Sequence, residues 1–460
     1  MTLIKSISGI RGTIGGAPGD NLTPVDVVQF ASAFTQWLKV KHNKEKLSIV
    51  LGRDARISGP MVGQLVCATV QAMGVDVIDL GLTTTPTTEI AVEHFKADGG
   101  IILTASHNPA QWNALKLLNE RGEFISAADG QMLLDLIEKS TFEYVSYDKL
   151  GKYSQSNADD IHIKQILDLP LVDVEAIKKT DFKVVLDCVN SVGGIALPKL
   201  LKALGVNQVT EMYCEPDGIF PHNPEPLPEN LTEISAKIVA EGADVGFVVD
   251  PDVDRLAIIN EDGSMFGEEY TLVAVADYIL QNTPGNTVSN LSSTRALGDI
   301  THQAGLKYEA AAVGEVNVVT KMKEISAIIG GEGNGGIIYP ELHYGRDALV
   351  GIALFLSFLA KKGIKCSELR AEYPAYFMSK NKIQLHKGIN VDAILETMSK
   401  KYSNEKVSTV DGVKIDFDEE WVHLRKSNTE PIIRIYTEAV SQERASELAS
   451  EIIKEIESII

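Results

Sequence analysis

Residues 104–109 read Thr-Ala-Ser-His-Asn-Pro and follow the apolar run 100–103. Such a run reads as a buried strand, so Ser106 stands where a strand opens into a loop. Open α/β sheets bind ligands beyond the carboxyl ends of their strands. A serine hydroxyl is a weak nucleophile unless activated. It can also carry a phosphoryl group, which adds about −1.5 to −2 charge. No G-x-S-x-G elbow surrounds it, since Ala105 and His107 are its neighbours, so a hydrolase nucleophile is a poor fit. A simple turn serine is the bland alternative.

A second cluster, Asp250-Pro251-Asp252-Val253-Asp254-Arg255, follows another apolar run, 246–249. Alternation in an extended segment puts Asp250, Asp252 and Asp254 on one side. Three gathered carboxylates repel one another without a cation, and hard oxygen ligands select Mg²⁺ or Ca²⁺. The glycine and glutamate positions of an EF-hand loop are not met. An acidic surface turn and a structural calcium loop are the alternatives. Together the aspartates and a phosphoserine would carry roughly −5 charge. A divalent ion offsets only part of this, so Arg255 and Lys116 are candidate counter-charges. Lys116 is also a candidate general acid/base, because lysine pKa values shift readily in such sites. Its alternative is a solvated surface lysine.

Three further segments could contact a ligand. The run 330–336, Gly-Gly-Glu-Gly-Asn-Gly-Gly, lets backbone approach closely, with Glu332 and Asn334 as its hydrogen-bonding side chains. Residues 425–431, Arg-Lys-Ser-Asn-Thr-Glu-Pro, with Arg434 beyond, offer hydroxyls, an amide and guanidinium groups around a turn, as a phosphate site requires. Arg11 lies in a glycine-flanked loop, and Arg53 and Arg56 follow a strand, where a structural salt bridge is an equal reading.

The elements that must position these loops repeat along the chain. Short apolar strands begin near residues 47, 183 and 288. Each is followed by a helical stretch that stops at Gly74, Gly205 or Gly305 before the next strand. Further buried strands at 100–103, 246–249 and 327–329 run into the serine loop, the aspartate loop and the glycine loop. Strand–helix–strand units predict mostly parallel sheets. The last ~90 residues differ: strands near 382–385, 413–417, 421–425 and 432–436, a helix at 391–401 and a closing helix at 441–460 predict an α+β domain. The expected division is 1–155, 156–257, 258–369 and 370–460.

Composition bounds the partners. The chain has 460 residues and a net charge of −20, which argues against nucleic acid. No apolar run approaches the ~20 residues of a membrane span. The first residues lack the features of a signal peptide. Four scattered cysteines without a CxxC pair read as reduced thiols in a cytoplasm. No membrane partner is expected, and either a monomer or a homodimer is compatible.

These four loops, in this order over nearly the whole chain, resemble the α-D-phosphohexomutase family. The resemblance implies three related α/β domains and a C-terminal α+β domain around a central cleft. It implies that Ser106 is phosphorylated and binds Mg²⁺ together with Asp250, Asp252 and Asp254. Arg11, His107, Lys116 and Arg255 would surround the transferring phosphate. Glu332 would bind sugar hydroxyls, and Arg425, Ser427, Asn428 and Thr429 would hold the non-reacting phosphate. The implied reaction interconverts hexose 6- and 1-phosphates through a 1,6-bisphosphate, which is also the expected activator. Asn334 and Gly336 replace a Ser and a His common in the glycine loop. Ala114 replaces a Gly, and the segment 313–317 lacks a cation often found there. These departures fall in sugar-recognition segments. The Glu-x-Asn-Gly-Gly form points first to phosphoglucosamine mutase, with phosphomannomutase/phosphoglucomutase as the alternative. A metal-dependent sugar phosphatase using Asp250 and Asp252 is the reading from another class; it leaves Ser106 without a role. A sugar-phosphate-binding protein without turnover is a third.

Overall fold

The computed structural model describes residues 2–6, 9–386, 389–426 and 432–459, and of Ser6 only the backbone. Among these residues four sheets form. The first contains β1 (Ile4–Ser6), β2 (Gly9–Thr13), β3 (Ser48–Arg53), β4 (Asp76–Leu82), β5 (Gly99–Leu103), β6 (Trp112–Leu118) and β7 (Tyr153–Gln155), in the order β1-β2-β6-β5-β3-β4-β7. The second contains β8 (Lys183–Asp187), β9 (Gln208–Met212), β10 (Val245–Val249) and β11 (Leu256–Asn260), ordered β11-β10-β8-β9. The third contains β12 (Asn286–Asn290), β13 (Tyr308–Ala311), β14 (Ala327–Glu332) and β15 (Gly336–Ile338), ordered β13-β12-β14-β15. The fourth contains β16 (Phe377–Gln384), β17 (Lys406–Ser408), β18 (Val413–Asp416), β19 (Trp421–Lys426) and β20 (Ile432–Ala439), ordered β16-β20-β19-β18-β17 and antiparallel throughout.

The first three sheets share one construction. A parallel core (β4-β3-β5, β9-β8-β10, β13-β12-β14) ends in an antiparallel strand beside its last member (β6, β11, β15). The loop joining that parallel strand to its antiparallel neighbour is, in turn, the serine loop, the aspartate loop and the glycine loop. The carboxyl ends of three parallel strands thus deliver the three loops, as the repeat predicts. Gly74, Gly205 and Gly305 end the equivalent helices with φ of 79°, 84° and 73°, the left-handed turn that glycine adopts without a Cβ clash.

Two details differ from the sequence reading. Gly330, Gly331 and Glu332 belong to β14, so the glycine loop is only residues 333–335. Glycine is needed within that strand because a Cβ at Gly330 would lie 2.5 Å from Met322 Sδ and 2.8 Å from the Val288 carbonyl oxygen. The divisions expected after residues 257 and 369 cut through β11 and through the helix Cys366–Ala371. All five residues of β11 pair with β10, so the second sheet runs to Asn260.

The second and third sheets are joined by a continuous hydrophobic core running from Ile163 to Tyr373. The helix Ala348–Lys362 supplies its centre. Its sequence is apolar all round, which marks a buried helix, and every residue from Ala348 to Leu359 is buried. Phe355 packs edge-on against Phe247 of β10 and against Phe266. The first and fourth sheets have separate cores. No helix among the described residues is long and apolar enough to cross a membrane.

A buried polar cluster ties the first sheet's layer to this helix. Asp347 caps the helix, its Oδ1 accepting from the backbone N–H groups of Leu349 and Val350. Its Oδ2 lies 2.9 Å from His162 Nε2 and 3.3 Å from His343 Nε2. His343 Nδ1 faces Glu89 Oε2 at 3.3 Å, on the helix Thr85–His94. Burial alone would lower the His343 pKa, but the carboxylates of Asp347 and Glu89 beside it outweigh burial and push it up to about 10. A histidine pKa raised on folding stabilises fully below the unfolded value near ~6.5, and that stability is lost as pH climbs through the folded value. His343→Gln is therefore expected to lower stability by roughly 3–5 kcal/mol near pH 6.5. Denaturant unfolding should show the gap between wild type and variant shrinking steadily towards pH 10. A gap independent of pH would refute the charged pairing.

Candidate active site

Ser106 sits at the tip of the β5–β6 connection with φ of 48°, and Val253 in the β10–β11 connection has φ of 65°. Left-handed backbone is costly for residues with a Cβ, about 1–3 kcal/mol each, and above all for a β-branched valine. Surrounding contacts hold both loops there. Ser106 N–H donates to Thr104 Oγ1 at 2.9 Å, and Thr104 Oγ1 donates to Asp54 Oδ2 at 2.7 Å. Asp54 pairs with Arg56, whose guanidinium is wholly buried. Arg56 then donates to the carbonyl oxygens of Ser106 (2.5 Å), Asn108 (2.6 Å), Pro109 (2.7 Å) and Trp112 (3.1 Å). Of the two readings open for the 53–56 segment, Arg56 takes the structural one: it pins the serine loop from beneath.

The aspartate loop closes over the serine from the second sheet. Ser106 Oγ donates to Asp250 Oδ2 at 2.6 Å. Asp250 Oδ1 accepts from the N–H groups of Asp254 and Arg255, both at 3.2 Å, and so shapes its own loop. Asp252 Oδ2 accepts from Thr85 Oγ1 and Lys116 Nζ, each at 2.6 Å. Asp254 Oδ2 accepts from Arg346 Nη2 at 2.6 Å and Lys116 Nζ at 3.2 Å. All three carboxylates are wholly buried.

The residues present fit a divalent cation. One carboxylate oxygen from each of Asp250, Asp252 and Asp254 lies within 4.8 Å of the others. Asp252 Oδ1 and Asp254 Oδ1 are buried and have no hydrogen-bond partner among the described residues. Unpartnered buried carboxylate oxygens cost free energy, and oxygen-only donors suit Mg²⁺ or Ca²⁺. Burial first, then Asp254 and Asp252, push the Asp250 carboxyl well above the usual range. The nearby trio His162, His343 and Asp347 also converges, but its members already satisfy one another by hydrogen bonds.

The expected cations surround this centre. Lys116 lies on β6; Asp252 and Asp254 outweigh its burial and hold its pKa above the ordinary value. It is thus charged here and balances Asp252 and Asp254. His107 Nδ1 is 3.4 Å from Ser106 Oγ. Burial, followed by Arg255, pushes its pKa down to about 2, so its ring is neutral. Among the described residues Arg255 makes long pairs, 3.7 Å to Glu225 and 3.9–4.0 Å to Asp254 and Asp250, and its buried Nε has no hydrogen-bond partner. Arg11, on β2, has its pKa lowered by enclosure first and then by Arg434 and Arg255 beside it. A guanidinium with two others close enough to lower its pKa marks a place for an anion.

The substrate-side residues are less uniform. Glu332 ends β14, buried, with Oε2 on Arg346 Nη1 at 2.7 Å. Asn334 Oδ1 accepts from the N–H of Gly336 at 3.2 Å. Arg425 and Arg434 face each other across β19 and β20, but Arg425 Nε pairs with Asp411 at 2.9 Å. Ser427, Asn428 and Thr429 lie outside the described residues. Reading the sequence missed Arg346, Glu315, Thr85, Asp54 and Glu89. Arg346 Nε reaches Glu315 Oε2 at 3.0 Å; burial pushes that carboxyl up to about 8. The segment Gly345-Arg346-Asp347 carries no pattern that would have singled it out.

Comparison with known proteins agrees with this arrangement. Four family models of phosphoglucomutase/phosphomannomutase match in order: α/β/α domain I over residues 3–144, domain II over 160–263, domain III over 267–376 and the C-terminal domain over 380–455. A phosphoglucomutase/phosphomannomutase of Thermococcus kodakarensis is 37% identical over 98% of both chains. A phosphoglucosamine/phosphogalactosamine mutase of Sulfurisphaera tokodaii is 31% identical, covering 99% of this chain and 100% of its own. The solved structure of a phosphoglucomutase/phosphomannomutase family protein from Burkholderia thailandensis superposes with a TM-score of 0.84 at 27% identity, covering 99% of this chain and 97% of that one. The loops, their order and these likenesses agree: the chain belongs to the phosphoglucomutase/phosphomannomutase family of phosphohexomutases.

Proposed function

We propose that this protein interconverts hexose 6-phosphates and hexose 1-phosphates, with glucosamine 6-phosphate as the leading substrate. The observation that carries this reading is the 2.6 Å hydrogen bond from Ser106 Oγ to Asp250 Oδ2. It seats one hydroxyl on an acidic loop that has buried, unpartnered carboxylate oxygens. A phosphatase acting through Asp250 or Asp252 gives that serine no task.

In the proposed cycle, phosphorylated Ser106 is the donor. The C1 hydroxyl of a sugar 6-phosphate attacks phosphorus, the P–Oγ bond breaks, and the hydroxyl proton ends on Oγ. His107, neutral and beside Oγ, is placed to hydrogen-bond the phosphoryl group there. Lys116 stays charged and balances Asp252 and Asp254. Arg255 and Arg11 bind the equatorial phosphoryl oxygens, a transfer that rests on positioning and charge stabilisation. Mg²⁺, held by Asp250, Asp252, Asp254 and the phosphoserine, would neutralise charge on the phosphoryl group when bound. The 1,6-bisphosphate then turns end for end, and its other phosphoryl group returns to Ser106. Arg425, Arg434 and the segment Ser427, Asn428 and Thr429 hold the phosphate that is not reacting. Free bisphosphate restores enzyme that has lost its phosphoryl group.

One observation favours a second substrate set. The 37% identical Thermococcus relative is named for glucose and mannose phosphates, whereas relatives named for glucosamine phosphate are about 31% identical. The test is ³¹P NMR of Mg²⁺-supplied, bisphosphate-primed enzyme with glucosamine-, glucose- and mannose-6-phosphate in parallel. Fastest 1-phosphate formation from glucosamine 6-phosphate supports the leading reading. Faster conversion of glucose or mannose moves the substrate. Inorganic phosphate without any 1-phosphate overturns the mutase.

A further inference from the structure

Arg346 hydrogen-bonds three carboxylates from three separate segments. It donates to Asp254 in the aspartate loop, to Glu332 at the end of β14, and to Glu315 at the start of the helix Glu315–Ile325. The fork of an arginine can hold several planar acceptors in fixed directions; a lysine ammonium is a point charge without that geometry.

The consequence falls on Glu332. Its Oε1 accepts from Asn290 Nδ2 at 2.9 Å and from the Gly314 N–H at 3.1 Å, and its Oε2 accepts from Arg346. An ionised carboxylate offers about four acceptor directions. Among the described residues three are filled, which leaves one on Oε2. The backbone around Arg346 is held as firmly. Arg346 bridges to Ile338 of β15, and the Asp347 N–H donates to the Ile337 carbonyl at 2.8 Å. Asp347 itself is anchored in the helix cap. The path of the arginine side chain requires Gly336, because a Cβ there would overlap Arg346 Cδ.

We propose that Arg346 is a positioning residue for sugar recognition: it fixes the Glu332 carboxylate so that one acceptor direction faces a substrate hydroxyl, using Asp254 and Glu315 as its own anchors. This rests on the reading of Glu332 as the sugar-binding carboxylate. Discrimination against a sugar that lacks the matching hydroxyl therefore depends on a residue that need not touch the sugar.

The experiment compares kcat/KM for the best hexose 6-phosphate with that for its 3-deoxy and 4-deoxy analogues, in wild type, Glu332→Gln, Arg346→Lys and Gly336→Ala. Wild type is expected to reject one analogue by roughly 10²-fold or more, since a site built for a hydroxyl leaves its buried acceptor unpaired without it. Glu332→Gln and Arg346→Lys should each reduce that ratio at least about tenfold, the parent sugar losing more kcat/KM than the analogue. Gly336→Ala, which displaces the arginine without removing it, should act in the same direction and serves if Arg346→Lys does not fold. Discrimination lost in Glu332→Gln but kept in the Arg346 and Gly336 variants overturns the positioning role alone. Discrimination kept in all variants, or absent from wild type, overturns the role of Glu332 as well.

Discussion

Ser106→Ala is expected to abolish interconversion, lowering kcat by on the order of 10⁴-fold or more, because the covalent route through this oxygen is lost altogether. The fold should survive. The hydroxyl makes one strong hydrogen bond, to Asp250, and the loop is held by Arg56 and Asp54 through backbone and Thr104 contacts. The measurement has two parts. Turnover is followed by ³¹P NMR, and the covalent state by intact mass before and after incubation with 1,6-bisphosphate. Wild type should gain one phosphoryl group and the variant none. A variant that still forms 1-phosphate would remove Ser106 from the reaction; one that still releases inorganic phosphate at the wild-type rate would restore the phosphatase.

Arg56→Met carries the second large effect, and for another reason. The side chain it removes is 0% exposed and makes an ion pair with Asp54 and hydrogen bonds to four carbonyl oxygens of residues 106–112. Methionine fills much of the volume, but Asp54 is then a buried carboxylate without its counter-charge, whose pKa burial already raises. Breaking such a pair costs about 3–5 kcal/mol. The freed loop also relaxes from the left-handed backbone at Ser106. A misplacement near 1 Å can cost about 10²-fold in rate, so kcat should fall by that order while KM changes little. Thermal unfolding and steady-state kinetics on the same preparation check both parts. A variant with lowered stability and unchanged kcat would show that Arg56 supports the domain and not the serine.

Chemistry carried by contiguous residues was legible from the chain. Ser106 and the three aspartates stand directly after fully buried strands, and that position alone marks a loop at a sheet edge. The helix expected near 391–401 is present as Val391–Lys401, capped by Asn390. What escaped was chemistry made by meeting. Arg346 and Asp254 are 92 residues apart, and Arg56 and Ser106 are 50 apart; no spacing rule reaches across sheets. Local pattern also misled where tertiary packing takes over. A run of glycines read as a loop, yet Gly330 and Gly331 continue β14 by pairing with β15, and glycine stands there because a Cβ would meet neighbouring side chains and backbone. The strand Lys406–Ser408 went unread, being three residues at a sheet edge with little apolar signal.

The core shared by the second and third sheets bears on how such chains can be recombined. Phe247 of one sheet packs on Phe355 of the helix that follows the other, and helix Ala348–Lys362 leaves no face of its first three turns for solvent. A graft exchanging only the sugar loop's sheet with that of a relative would cut this interior in two and expose both halves. Three sequence repeats therefore amount to fewer interchangeable modules, with the middle pair inherited as one block.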